Sequence, residues 1–188
     1  MEVIPLSFPV LETNRLRLIE LNPTHADHLF NQFSRKDVTR YYGMDPLNTL
    51  EQAEKMITNM NNGYKEKRSA RWGIQLKETD ELAGTIGLNS LQLWSKKCEV
   101  GYDLHPDFWG NGYIKEALEE VLGYCFETLM LSRVGAVTFP ENEASWKLLL
   151  KVGFEKEGLL RNYLYQGGEN HNALVFSITK EVWNQLHS

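Results

Sequence analysis

Three strand-like segments follow one another with no helical pattern between them, and this order constrains the fold more than any other feature of the sequence. The segments are RWGIQLK at 71–77, LAGTIGLNSLQLW at 82–94 and CEVGYDL at 98–104. Short polar stretches separate them, so neighbouring strands are expected to pair as an antiparallel meander. A dinucleotide-binding fold alternates strands with helices, and the observed order weighs against it. The sequence therefore predicts a mixed α+β fold with a mostly antiparallel sheet.

Helical patterns lie on both sides of the meander. Segments 22–33 and 49–65 precede it, and each begins with residue types that are favoured at a helix N-terminus. Segment 112–129 follows it with apolar residues at intervals of three and four, and Gly153 would close a further helix over 144–152. The remaining strand patterns lie at 12–21, 133–139, 154–165 and 172–179.

The composition is that of a folded globular protein. The chain has 188 residues, 42% hydrophobic and 24% charged, and we expect a single domain over residues 1–188. The opening MEVIPLSFPV matches neither a secretory signal nor a transmembrane segment. The two cysteines, Cys98 and Cys125, suggest no disulfide framework and no metal site. The opening segment and the two cysteines together lead us to expect a cytoplasmic protein that does not bind membrane. The net charge of −5, without a dense Lys or Arg block, argues against nucleic-acid binding.

Two glycines, Gly110 and Gly112, occur where an extended segment gives way to the helical pattern. Glycine beside a helix costs about 0.5 to 1 kcal/mol relative to alanine, so bare backbone is expected to serve a tight turn, close packing or a bound anion. The first amides of a helix are unpaired and its dipole attracts anions, which suits a pyrophosphate. Lys115 occupies the place of the third glycine in G-x-G-x-x-G, and no Walker motif occurs. Nicotinamide oxidoreductases and P-loop NTPases are therefore disfavoured.

Two longer segments resemble a known family. They are EVGYDLHPDFWGNGYIKEALEEVLGYCFETL at 99–129 and PENEASWKLLLKVGFEKEGLLR at 140–161, and they are similar to the GNAT superfamily of acetyl-CoA-dependent N-acetyltransferases. With LETNRLRLIEL at 11–21, the chain most resembles the ribosomal-protein N-terminal acetyltransferases of the RimJ/RimL type. The resemblance implies a mixed, splayed sheet with acetyl-CoA in the splay. It also implies transfer of an acetyl group to a primary amine, foremost the N-terminal α-amine of a protein.

The resemblance assigns the cofactor to two stretches of backbone. The turn that would hold the CoA pyrophosphate is Trp109, Gly110, Asn111, Gly112, Tyr113 and Ile114. The strand backbone that would face the pantetheine arm is Tyr102, Asp103 and Leu104. The family's phosphate motif begins with Gln or Arg three positions before its first glycine, but this chain has Asp107. Because a carboxylate donates no charged hydrogen bond, backbone amides would have to hold the phosphates.

A second motif, NEAS, precedes the helix pattern at 144–152. By resemblance Asn142 would contact the CoA arm and Ser145 would face the thioester sulfur, which it would hydrogen-bond or protonate as the thiolate leaves. Without the resemblance, helix capping is the simpler explanation for both residues.

The candidate base is Glu99. In an extended CEVGYDL segment it shares a face with Gly101 and Asp103, and Gly101 leaves a gap beside the carboxylate. A solvated carboxylate on an exposed face of the sheet is the alternative interpretation.

Other residues could serve as acids. Tyr102, Tyr163 and Tyr165 are candidates, although aromatic residues at strand positions more often pack against neighbours. His105 lies in a predicted turn and is expected to be a histidine of a surface loop.

Several functional alternatives remain open at this stage. A small amine, such as a polyamine or an aminoglycoside, could replace the protein N-terminus as acceptor, and a CoA-binding sensor without catalysis is a further possibility. The acceptor surface is expected from residues 37–65 and from the loop 92–97, which contains Trp94. Related enzymes include dimers, so a homodimer is possible, but no interface is visible in the sequence.

Overall fold

The strands of the predicted meander pair with one another in the computed structural model, which describes residues 7–187. The strands are β1 (Leu11–Glu12), β2 (Leu16–Glu20), β3 (Ala70–Leu76), β4 (Leu82–Gln92), β5 (Lys97–Leu104), β6 (Arg133–Thr138), β7 (Glu155–Gln166) and β8 (Glu169–Thr179). They form one sheet in the order β1-β2-β3-β4-β5-β6-β8-β7. Every neighbouring pair is antiparallel except β5 with β6.

The parallel pair is short, and this opens the sheet. Residues 97–99 of β5 pair with residues 133–135 of β6, and the pairing ends at Glu99 and Gly135. From Val100 to Leu104, β5 therefore has a neighbouring strand only on the β4 side. The mixed, splayed and mostly antiparallel sheet predicted from the sequence is confirmed.

Helices cover both faces of the sheet. They are α1 (Ala26–Phe33), α2 (Lys36–Thr39), α3 (Leu50–Lys65), α4 (Tyr113–Gly123), α5 (Glu143–Val152) and α6 (Lys180–Leu186). The helix predicted over 112–129 is α-helical only to Gly123 and continues as a π-helical turn over Tyr124–Thr128. Within residues 7–187, no helix combines the length and the apolar character that crossing a membrane requires.

The residues at which helical segments begin and end were predicted well, because helix capping depends on residues that are close in sequence. Asn22 Oδ1 accepts a hydrogen bond from the Thr24 amide at 2.9 Å, at the start of the short 3₁₀ turn that leads into α1. Gln52 Oε1 accepts one from the Thr49 amide at 3.2 Å, ahead of α3. Gly153 ends α5 with φ of 102°, the left-handed conformation in which glycine is favoured.

Two apolar cores hold the layers together. The larger core lies between the sheet and α4, α5 and α6, and it contains Cys98 and Cys125. The smaller core lies beneath α1 and α3 and is centred on Leu29, Phe33 and Ile57. The smaller core fixes α1 and α3 over the same part of the sheet that contains Arg71.

Arg71 extends along the sheet because its neighbours on the next two strands are glycines. The strand register pairs Arg71 with Gly87 on β4, and Gly87 with Gly101 on β5. A Cβ at Gly87 would lie 3.0 Å from the Arg71 Cβ and 2.6 Å from the Ala70 carbonyl oxygen. A Cβ at Gly101 would lie 3.4 Å from Arg71 Nη2. The two glycines therefore provide the space through which the guanidinium reaches β5.

Gly87→Ala is expected to lower the free energy of unfolding by about 1 to 3 kcal/mol, because overpacking a buried site forces the backbone to shift. Gly158→Ala on β7 is the matched control, since nothing lies within 4 Å of its Cβ position. The control should remain within about 0.5 kcal/mol of the wild type. Urea denaturation of the three proteins measures both effects, and equal stabilities for the two variants would contradict the packing argument.

Candidate active site

A cavity of about 400 Å³ fills the gap between the diverging strands. Glu99 and Tyr102 of β5 line it, and Asn142 and Ser145 line it from the N-terminal end of α5. The structure thus brings together four residues that the sequence predicted for the site.

Tyr102 and Ser145 connect the two sides of this cavity. The Tyr102 hydroxyl lies 3.0 Å from Ser145 Oγ, and Asn142 Oδ1 accepts a hydrogen bond from the Ser145 amide at 3.3 Å. The capping role of Asn142 is therefore confirmed, and it orients the first turn of α5. Burial raises the pKa of Tyr102 to about 12, although the hydrogen bond with Ser145 opposes the shift. The phenol consequently stays protonated near neutral pH and can donate a hydrogen bond to Ser145.

Glu99 lies at the point where the strands separate. It is the last residue of β5 that pairs with β6, and its Cγ lies 3.4 Å from where a Cβ at Gly135 would be. The side chain is half-buried and lines the cavity. Its predicted position on the same face as Gly101 and Asp103 agrees with the structure, since Arg71 lies beside both of those residues and lines the same cavity as Glu99.

Asp103 anchors Arg71, a role that the sequence did not predict. Its side chain is only 3% exposed and lies 3.4 Å from Arg71 Nη1. Thr85 donates to it from the hydroxyl at 2.6 Å and from the amide at 3.0 Å, and the Gln32 amide group donates to it from α1. Burial raises the pKa of Asp103, while Arg71, Thr85 and Gln32 oppose that shift. The network holds the guanidinium in one place beside the cavity.

The glycine pair forms a turn between β5 and α4. Gly110 and Gly112 have φ of 79° and 78°, which is the left-handed region where other residues are strained. Nothing lies within 4 Å of a Cβ built at Gly110. The glycines are therefore required by the turn and not by close packing. The Trp109 indole donates to the Leu104 carbonyl at 2.8 Å, so the N-terminus of α4 is tied to the end of β5.

A long-range contact that the sequence did not predict holds this turn. Glu116 in the first turn of α4 accepts hydrogen bonds from Thr13 Oγ1 at 2.5 Å, from the Arg15 amide at 2.9 Å and from Arg15 Nε at 2.7 Å. Arg15 Nη1 also donates to the Asn111 carbonyl at 3.0 Å. Burial acts to raise the pKa of Glu116, but the hydrogen bonds from Thr13 and Arg15 outweigh it, and the pKa is lowered. The ionised carboxylate thus joins the N-terminal strands to the glycine turn.

His105 is buried, so the expectation of a surface histidine was wrong. Its exposed fraction is 6%, and its ring centroid lies 6.2 Å from that of His28 on α1. Nδ1 accepts a hydrogen bond from the Asp107 amide at 3.3 Å. The turn pattern alone could not show that α1 lies against this loop.

Two of the predicted alternative acids lie elsewhere. Tyr163 and Tyr165 are on β7 with exposed fractions of 56% and 67%, and neither lines the cavity between β5 and β6. Trp94, in the loop between β4 and β5, is 86% exposed and does not line this cavity either.

Sequence comparison identifies the family to which this site belongs. Residues 15–155 match the acetyltransferase (GNAT) domain family. The chain belongs to the GNAT acetyltransferase family. It is 47% identical to YoaA of Bacillus subtilis strain 168, an uncharacterized N-acetyltransferase. The aligned region of 173 residues covers 92% of this chain and 98% of YoaA. This GNAT protein is thus an N-acetyltransferase.

More distant relatives have different acceptors in their names. The [ribosomal protein uS5]-alanine N-acetyltransferase of Escherichia coli strain K12 is 27% identical over 125 residues, 66% of this chain and 64% of that enzyme. The solved structure of RimL, a ribosomal L7/L12 α-N-protein acetyltransferase in complex with coenzyme A, has a TM-score of 0.81 at 16% identity, covering 91% of this chain and 98% of RimL. The solved structure of a spermidine N-acetyltransferase from Vibrio cholerae, in complex with CoA and spermine, has a TM-score of 0.80 at 18% identity. The match covers 92% of this chain and 99% of that enzyme. The RimJ/RimL resemblance is confirmed, and the shared fold is common to different acceptors.

Glu116→Ala is expected to reduce the free energy of unfolding by about 1 to 3 kcal/mol, because the donor groups of Thr13 and Arg15 lose the carboxylate that accepts their hydrogen bonds. Glu119→Ala is the matched control on the same helix. Its ion pair with Lys115 is exposed and of the i,i+4 type, worth only about 0.3 to 0.5 kcal/mol. Urea denaturation distinguishes the two variants, and a control as destabilised as Glu116→Ala would show that the contact with Arg15 adds nothing.

Proposed function

We propose that this GNAT N-acetyltransferase binds acetyl-CoA in the gap between β5 and β6 and acetylates the N-terminal α-amine of a protein, with ribosomal proteins as the first candidates. The observation that carries the proposal is the convergence of Glu99, Tyr102 and Ser145 in one cavity along the unpaired side of β5. An extended ligand arm can hydrogen-bond to a free strand side, and the glycine turn at the end of β5 suits its phosphates.

The residues present fit this cosubstrate. The amides of residues 109–114 would hold the pyrophosphate, the backbone of Tyr102, Asp103 and Leu104 would face the pantetheine arm, and Asn142 would contact it from α5. The side chain of Asp107 is 78% exposed, so it does not fill the turn. Arg15 Nη2 lies 3.8 Å from the Cβ position of Gly112, but its charge is paired with Glu116 at 2.6 Å, so the backbone amides of the turn would supply the main contacts to the phosphates.

The chemistry forms a bond from the amine nitrogen to the carbonyl carbon and breaks the bond from that carbon to the CoA sulfur. Glu99 would accept the proton that the amine loses, directly or through a water molecule. Ser145 would donate a proton to the departing sulfur, while the Tyr102 phenol hydrogen-bonds to Ser145 and keeps it oriented. Glu99 then releases its proton to water and Ser145 recovers one from water, so the proton that the amine loses balances the proton that the thiolate gains.

The acceptor amine limits how strong the base must be. An α-amine with a pKa of about 8 is about one-tenth neutral at pH 7, which costs about 1.4 kcal/mol, whereas a lysine amine costs about 4.6 kcal/mol. A half-buried carboxylate such as Glu99 is therefore better matched to an N-terminus than to a lysine. The relatives that act on ribosomal proteins support the same choice. A polyamine acceptor remains the second candidate because of the spermidine N-acetyltransferase with the same fold. A cytoplasmic location remains a prediction.

Glu99→Gln is expected to reduce turnover about 100-fold, the usual effect of a general base, while acetyl-CoA binding is unchanged. The measurement is the release of free CoA with a panel of peptide N-termini, polyamines and aminoglycosides, together with calorimetric titration of acetyl-CoA. Glu155→Gln on the exposed part of β7 is the control and should behave like the wild type. Unchanged turnover in Glu99→Gln would remove Glu99 as the base. Failure to bind acetyl-CoA would overturn the assignment of the glycine turn.

Tyr102→Phe and Ser145→Ala are each expected to lower turnover about tenfold or more at saturating acetyl-CoA. Because the two hydroxyls would act as one unit, the double variant should be little slower than the slower single variant. Multiplicative effects in the double variant would show that Tyr102 and Ser145 act independently, and normal turnover in Ser145→Ala would remove it as the acid.

A further inference from the structure

A second cavity adjoins the proposed acetyl-CoA site. It has a volume of about 520 Å³ and lies between α3, the segment before it, and strands β3 and β4. Tyr42, Arg71 and Asn89 line both this cavity and the one between β5 and β6, so the two spaces meet at these side chains. We call the second space the methionine cavity, because Met44, Met56 and Met60 form part of its wall.

The chemistry of the methionine cavity is unusual for an amine-binding site. Its wall is apolar at the three methionines and at Leu47, and its ionisable side chains are the cations Arg71 and Lys55 beside the phenol of Tyr42. No Asp or Glu of the described residues lines it. A second ammonium group on the acceptor would enter without a carboxylate partner and would be repelled by the two cations. Flexible methionines instead accommodate apolar groups of differing shape.

Two hydrogen-bond donors lie where the two cavities meet. Asn89 Nδ2 and Arg71 Nη2 lie 3.1 and 3.4 Å from the Cβ position of Gly101, so both approach the same gap in β5. Arg71 uses Nη1 for its contacts with Thr85 and Asp103. Within residues 7–187, neither Asn89 Nδ2 nor Arg71 Nη2 makes a hydrogen bond. The gap also lies on the same face of β5 as Glu99, two residues away.

We propose, on the basis of the function proposed above, that the acceptor is an α-amino acyl group with an apolar side chain of about the size of leucine or methionine. The α-amine lies by Glu99, the carbonyl oxygen accepts hydrogen bonds from Arg71 Nη2 and Asn89 Nδ2, and the apolar side chain enters the methionine cavity. The same chemistry is present in a peptide N-terminus and in a free amino acid, whereas a polyamine lacks the carbonyl and brings additional charges.

The first experiment compares acceptors for the wild-type enzyme by the rate of CoA release. Peptides identical except for Leu, Met or Ser at the first position are tested beside free leucine and spermidine. We expect kcat/KM to be about tenfold or more higher for Leu and Met than for Ser, since several methylene groups are buried. Spermidine should be the poorest acceptor. The ratio of Leu peptide to free leucine identifies whether a peptide carbonyl or a free carboxylate is preferred.

The second experiment locates the preference in the methionine cavity. The double variant Met56→Ala, Met60→Ala should lower the Leu-to-Ser ratio of kcat/KM about fivefold or more, and the ratio cancels any general loss of active enzyme. Met130→Ala is the matched control, because Met130 is 52% exposed and does not line the cavity. An unchanged ratio in the double variant would overturn the proposed location of the side chain.

The third experiment tests the carbonyl contact. Asn89→Ala should lower kcat/KM for the Leu peptide about fivefold to tenfold, consistent with the loss of one hydrogen bond. The ratio of kcat/KM for the Leu peptide to kcat/KM for 3-methylbutylamine should fall by the same factor, because this amine has the side chain of leucine without the carbonyl. Asn89 is exposed, so the variant is expected to fold normally. Equal losses with both amines would contradict the contact.

The failure of this inference can be distinguished from the failure of the proposed function. Amine-dependent CoA release that is fastest with the Ser peptide or with spermidine would overturn the inference and leave the N-acetyltransferase intact. No amine-dependent release with any acceptor would overturn the proposed function, and the inference with it.

Discussion

The pairing between β5 and β6 ends at Glu99 and Gly135, and the geometry of the site depends on this early separation. Backbone amides and carbonyls inside a fold must find hydrogen-bond partners, and a strand that loses its neighbour leaves such groups for a ligand or water. Antiparallel pairing with β4 continues along the other side of β5 to Leu104, so one side of the strand is held while the other is open. The α5 helix begins beside this opening and brings Asn142 and Ser145 to it. A rigid strand with one free side is well suited to orient an extended molecule without moving itself.

The second constraint is the buried cation Arg71. A guanidinium in a sheet core is stable only when it is paired and has room, and Asp103 provides the pairing while Gly87 and Gly101 provide the room. Gly101 makes room for Arg71 and also opens the gap beside Glu99. One residue therefore serves both the packing of the sheet and the side of the site where the acceptor would bind. A change that moves Arg71 for reasons of stability would therefore also alter the position of a donor at the boundary of the two cavities.

The sequence predicted those features that depend on nearby residues. The strands of the meander, the capping by Asn22 of the 3₁₀ turn that leads into α1, and the turn at Gly112 are encoded within a few positions, and the structure contains each of them. The splay came from the family resemblance, because hydrophobic periodicity does not tell where two strands separate. Contacts between distant positions were not predictable: Arg15 meets Glu116 across 101 residues, and Arg71 meets Asp103 across 32. The burial of His105 was missed for the same reason, since it depends on α1.

The fold alone leaves the acceptor undecided, because enzymes named for a ribosomal protein and for spermidine have the same architecture. The choice between acceptors depends on the charged side chains that surround the part of the acceptor beyond its reacting amine. A polyamine presents further ammonium groups, which carboxylates on the protein would attract and cations would repel. In the described part of this chain the methionine cavity presents Lys55 and Arg71 in that position, together with thioether and leucine side chains. The electrostatics of these few side chains therefore favour a carbonyl-bearing, apolar acceptor over a polycation, on a scaffold that is compatible with either.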